Sequence, residues 1–286
     1  MRRLALWTIL IAACSGCSGG YLLSATDGVA PAGGEAPMVV RLRHREFPFY
    51  KPIIKAAVLR FRLADGPIRA AHTDPDGYAS VSLPAPAATG VFPLTVIYQD
   101  LEGNESTWQL RAFVWDPNRP VVAVDVSAIT PGGQDAQAAL ARLAQQANII
   151  YLTDRSVTTF PQLAQVLSAS GLPEGPILSW GAEHWWQRRL NAWQWRDVRQ
   201  GLWRIERIIS PLGDLRTVFP GLRIGIAGSR LGVQAIQQAG MDCRVVTALA
   251  PKTGDVFEPI SWADLAESGL PAPKPEPQPE PAPESP

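Results

Sequence analysis

The residue pattern changes character at Pro120, and no single layer architecture accommodates both halves. Before it, apolar residues recur with period two in Met38–Arg43, Ala56–Leu63, Tyr78–Leu83, Phe92–Tyr98 and Thr107–Trp115, with turn residues between the runs. Five such runs without a helical stripe predict a small all-β sandwich over residues 37–118. After Pro120, short buried strands are expected at Val121–Val126, Ile149–Thr153, Pro176–Trp180, Leu222–Ala227 and Arg244–Leu249. Helices are expected between them at Asp135–Ala147, Phe160–Ala169, a long stretch ending near Ile209, and Leu231–Ala239. Strands alternating with helices predict a Rossmann-like parallel α/β sheet over residues 119–265.

The spacing of the first five runs suits a sandwich of immunoglobulin-like type. Thr73-Asp-Pro-Asp-Gly77 offers two carboxylates that a calcium ion could use, but Asp, Pro and Gly each have a turn role and further ligands are missing, so a connecting turn is expected. In the second half, ligands of a parallel sheet sit beyond the C-terminal strand ends. That rule selects Asp125–Ser127, Thr153–Arg155, Ser179–Gly181 and Gly228–Arg230.

At the N-terminus, Arg2 and Arg3 precede an apolar run from Leu4 to Ala13 and then Cys14, a secretory signal too short to span a bilayer. Ile11-Ala-Ala-Cys14 resembles the lipobox of bacterial lipoproteins; Cys17 is the weaker alternative. The resemblance implies removal of residues 1–13, acylation of Cys14 by chains such as palmitate, and a membrane as partner in the cell envelope, periplasmic or surface exposed. Small and polar residues then predict a tether over 14–36. At the other end, an alternating proline tract predicts an extended, solvated tail over 266–286. Cys243 reads as a small buried hydrophobe.

Lys and Arg number 26 against 26 Asp and Glu, which leaves no net charge for a polyanion and excludes nucleic acid as a first partner. The three histidines (His44, His72, His184) are scattered, so neither a hydrolase triad nor a zinc site is supported. No lysine lies between Lys55 and Lys252, which excludes lysine chemistry from residues 56–251.

The segments VVAVDVS, IIYLTDRS, LPEGPILS and FPGLRIGIAGSRLGVQAIQQAGM, in that order, resemble the haloacid dehalogenase-like phosphohydrolases over residues 119–255. The nearest branch holds the lipin-type phosphatidate phosphatases and the C-terminal domain of phosphatidylinositol transfer proteins. The resemblance implies an α/β fold of the haloacid dehalogenase type, with Asp125 at the nucleophile position and Thr153 as the phosphoryl-binding hydroxyl. Ser127 stands where the family has its acid–base Asp, and no Asp or Glu occurs between Asp214 and Asp242, where acids would complete a Mg²⁺ site. Ligand contacts are expected from Ser127, Arg155, Ser229 and Arg230, and from Arg204 or Arg207 as the basic residue.

Residues 180–203 hold six tryptophans, and six arginines fall within 183–209. This segment is expected either to pack on the sandwich or to meet an anionic headgroup. The sequence therefore leads to a degenerate phosphatase-like lipoprotein that binds or scaffolds a phosphorylated or lipidic ligand without a cofactor. Its alternatives are an active Mg²⁺-dependent phosphohydrolase, in which Asp154 or Asp242 supplies the missing carboxylate, and a purely structural envelope protein.

Overall fold

The computed structural model describes residues 20–45, 52–153, 160–179, 212–246 and 257–269. These fall into two compact units, one built on residues 20–117 with 160–166 and 176–179, the other on 118–153, 167–175 and the described residues from 212 onward.

The first unit contains two sheets made by β1 (Gly20–Ala25), β2 (Gly28–Pro31), β3 (Glu35–Arg45), β4 (Val58–Leu63), β5 (Arg69–His72), β6 (Tyr78–Pro84), β7 (Gly90–Gln99) and β8 (Glu105–Trp115). Their orders are β1-β3-β6 and β2-β8-β7-β4-β5. The period-two residues do what the pattern requires: Met38, Val40 and Leu42 of β3, Leu59, Phe61 and Leu63 of β4, and Leu94 and Val96 of β7 are buried together between the sheets.

Residues 20–36 correct the expected tether. β1 pairs antiparallel with β3, from Gly20↔Arg45 to Ala25↔Val40, and β2 pairs parallel with β8, from Gly28↔Ala112 to Pro31↔Trp115. The chain thus enters one sheet, changes sheets at Asp27, and continues in the other; the Asp27 carboxylate accepts from Arg111 Nη2 of β8 at 2.8 Å. Small residues are what β2 needs, because a Cβ added at Gly28 would lie 2.7 Å from the Met38 sulfur. The Thr73–Gly77 segment is the expected turn, with Asp74 Oδ1 accepting from the Asp76 and Tyr78 N–H groups at 2.8 Å each.

The α/β sheet contains β9 (Val121–Asp125), β10 (Asn148–Thr153), β11 (Ile177–Ser179), β12 (Leu222–Ala227), β13 (Asp242–Val245) and β14 (Glu258–Pro259). Counted one to six along the chain, they lie in the order 3-2-1-4-5-6, the doubly wound order. The pairs β9–β10, β9–β12, β12–β13 and β13–β14 are parallel. The described helices are α1 (Val126–Gln146), α2 (Phe160–Ala169), α3 (Leu212–Val218), α4 (Arg230–Gln238) and α5 (Trp262–Ser268).

Two boundaries differ from expectation. α1 starts nine residues before Asp135, because Pro131-Gly-Gly133 bends the helix without ending it: Gly133 takes φ 51° and ψ −126°. α5 runs to Ser268, past the expected start of the tail, and is opened by a capping box between Ser261 and Asp264. Arginines satisfy three helix C-termini: Arg119 donates to the Ala144 carbonyl, Arg142 to Ala266, and Arg216 to Ala239 and Gly240. Trp262 packs α5 onto α1 and donates its indole N–H to the Ala128 carbonyl at 3.1 Å. The helical stretch expected after Trp180 and its tryptophans lie outside the described residues.

Candidate functional site

The order of the α/β sheet reverses between β9 and β12, and the loops leaving these two strands meet at the usual ligand position of such a sheet. Asp125 ends β9, is 2% exposed, and is the N-cap of α1. Its Oδ1 accepts from the Ser127 N–H at 3.0 Å. Its Oδ2 accepts from the Ser127 hydroxyl at 2.6 Å, from the Ser229 hydroxyl at 2.7 Å, and from the Gly228 N–H at 3.3 Å. Ser229 is in turn the N-cap of α4 and accepts from the Gly232 N–H at 3.0 Å.

The site is closed by glycine on the β12 side. A Cβ added at Gly228 would overlap the backbone of Ala128, and one added at Gly232 would overlap the Asp125 carboxylate. Gly-Ser at 228–229 therefore lets one loop reach the other backbone to backbone, with the Asp125 charge held between the N-termini of two helices.

Such an arrangement is good for holding a carboxylate and poor for using it. A nucleophilic oxygen must present a lone pair to phosphorus, and here Oδ2 already accepts from three internal donors and Oδ1 from one. Mg²⁺ wants oxygen lone pairs, whereas the groups around Asp125 aim hydrogens at the same point; these residues do not fit that ion. Among the described residues, no group of three or more His, Cys, Asp or Glu gathers anywhere. Asp242 lies at the start of β13 beside Ile224, whereas Asp125 lies past the Ile226↔Val124 pair at the far end of the strands, so Asp242 does not supply a second carboxylate.

Thr153 ends β10 and is buried, but its neighbour Leu152 is the residue in register with Asp125. Arg230 opens α4 directly after Ser229. The donors to Asp125 are the hydroxyls of Ser127 and Ser229 and two backbone N–H groups. Arg155, Arg204, Arg207, Asp154 and Cys14 lie outside the described residues.

Cys243 is buried on β13 in register with Gly225. Burial, reinforced by the Asp125 charge and opposed by Arg244, pushes its thiol up to about 12, so it stays protonated.

Neither a family model nor a curated protein matches this sequence. Among solved structures, it has a likeness to the tandem Ig repeats of Dlar, with 10% identity, 38% of this chain and 59% of that chain covered, and TM-score 0.26. A second is the CARDB domain of the PF1109 protein from Pyrococcus furiosus (10% identity, 34% and 96% covered, TM-score 0.21). A third is the chitinase ChiW from Paenibacillus (9% identity, 80% and 20% covered, TM-score 0.24). At these scores the likenesses bear on neither fold family nor function.

Proposed function

We propose that this chain is a membrane-anchored envelope lipoprotein whose immunoglobulin-like sandwich carries a haloacid dehalogenase-like α/β unit that no longer transfers phosphoryl groups and instead binds or scaffolds a phosphorylated or lipidic ligand. The 3-2-1-4-5-6 strand order and the position of Asp125 at the end of the first of these strands support the phosphatase-like ancestry. One observation carries the loss of chemistry: the oxygens of Asp125 accept from Ser127, Gly228 and Ser229, residues standing where the family has its acid–base and metal-binding carboxylates. Substituting hydroxyls for carboxylates turns a repulsive acid cluster, which needs a cation to hold it together, into a self-satisfied hydrogen-bonded one. Binding would fall to the rim of the same site, where Ser127 is exposed and Arg230 supplies positive charge; Arg155, Arg204 and Arg207, the further anion contacts that the sequence suggests, lie outside the described residues.

A phosphatase assay with Mg²⁺, phosphatidate and an aryl phosphate tests this reading. The wild type and Asp125→Asn are expected to give the same background rate. Turnover by the wild type that Asp125→Asn abolishes would restore the active-enzyme alternative.

A further inference from the structure

We propose that the end of the sandwich bearing the β7–β8 hairpin rests on a bilayer surface, with the Leu101 side chain entering the interfacial layer. The proposal rests on the acylated Cys14 put forward above. Because β1 begins at Gly20, only residues 15–19 separate that cysteine from folded strand, in place of the tether expected over 14–36. At full extension such a lead spans roughly 20 Å. A domain held this closely meets the headgroups with whichever end carries the lead.

That end is identified by Tyr21, the residue after Gly20. Its hydroxyl donates to Asp100 Oδ2 at 3.3 Å, and its ring packs edge-on against Tyr98 with centroids 4.7 Å apart. The start of β1 and the β7–β8 turn therefore share one end of the sandwich. At the apex of the turn Leu101 is fully exposed, at 106%.

The turn beneath it is firmly braced. Asp100 Oδ1 accepts from the Glu102 and Asn104 N–H groups, Oδ2 accepts from the Asn104 amide, and the Asp100 and Gly103 N–H groups donate to the Asn104 and Asp100 carbonyls. An apolar side chain presented by a fixed turn has little ordering entropy left to lose when it docks. One leucine is too little to recruit a free protein, but an anchor already supplies a high effective concentration, so a weak contact suffices to orient the domain. Asp100 and Glu102 flank Leu101 with negative charge, Glu105 being paired with Arg60 at 2.9 Å, which suits a zwitterionic surface and not an anionic one.

The test uses the full-length acylated protein in phosphatidylethanolamine–phosphatidylcholine vesicles, with Cys17→Ser and an environment-sensitive fluorophore placed on Glu102→Cys. A second preparation carries it on Ile68→Cys, in the β4–β5 turn at the other end of the strands. The label at 102 should shift to shorter wavelength and be quenched several-fold more than that at 68 by lipids spin-labelled near the headgroup. Adding Leu101→Ser to the 102-labelled chain should remove most of that shift, and adding phosphatidylglycerol to the vesicles should weaken it. Acylated protein whose label at 102 is as wet as that at 68, or is indifferent to Leu101→Ser, overturns the proposal alone. A shift that appears only when envelope proteins are added overturns it in favour of a protein partner. If mass spectrometry finds Cys14 unacylated, the anchor reading itself fails and takes this proposal with it.

Discussion

A carboxylate at the end of a buried strand is ambiguous in sequence, because VVAVDVS reads equally as a nucleophile position or as a helix cap. The neighbours decide, and one of them, the Ser229 hydroxyl, comes from 104 residues away. The place of Asp125 was therefore legible and its use was not. Asp125→Asn removes one acceptor oxygen and leaves buried donors facing an amide, so it should destabilise the protein by about 1–3 kcal/mol, seen as a lower urea midpoint with an unchanged slope. Ser229→Ala removes both a donor and the α4 cap, which costs about 1–2 kcal/mol, and the double variant should lose less than the sum because the two share one cluster. The thiol of Cys243 gives a pH signature. Its folded value is raised above the ordinary thiol range, so its contribution to stability is fully present below about pH 8.5 and is lost as pH rises toward 12. The stability difference between wild type and Cys243→Ala should therefore shrink over that window. The native thiol should also resist alkylating reagents at pH 8 and react freely once the protein is unfolded in urea.

At the scale of elements, the sequence was most readable where burial is one-sided. The five period-two runs of the sandwich and the strands at Val121, Ile149 and Leu222 all form as their patterns require. The first two strands escaped because their patterns carry no contrast: GVAP is nearly all buried, and its glycine and alanine resemble the composition of a linker. α1 escaped in part because Pro131-Gly-Gly133 carries the composition of a loop while the chain stays helical on both sides of one unusual dihedral pair. α5 had a readable signal in its Ser261–Asp264 capping box. The correction at the N-terminus has a direct consequence. A chain beginning at residue 37 lacks β1 and β2, one from each sheet, and should lose the cooperative transition of the sandwich unit, followed by near-ultraviolet circular dichroism of residues 20–117 expressed alone, whereas a chain beginning at residue 20 should keep it.

For the whole molecule, the balance of 26 basic and 26 acidic residues hides an uneven placement. Acids ring the β7–β8 turn, whereas the stretch from Leu215 to Met241, which contains the β12–α4 loop, has none. Along this stretch the charge is therefore basic alone, from Arg216, Arg223 and Arg230. The sandwich has a further property in the direction its strands run. The chain enters at Gly20 and leaves the sandwich past Trp115, and β2 lies parallel and adjacent to β8, the last strand. A pull between those two points would load β1 against β3 first and then slide β2 and β8 past each other along their length, so the pairs from Gly28↔Ala112 to Pro31↔Trp115 share the load and do not open one by one. Under such a load the first unit resists through the shear of two strand pairs, β1 on β3 and β2 on β8.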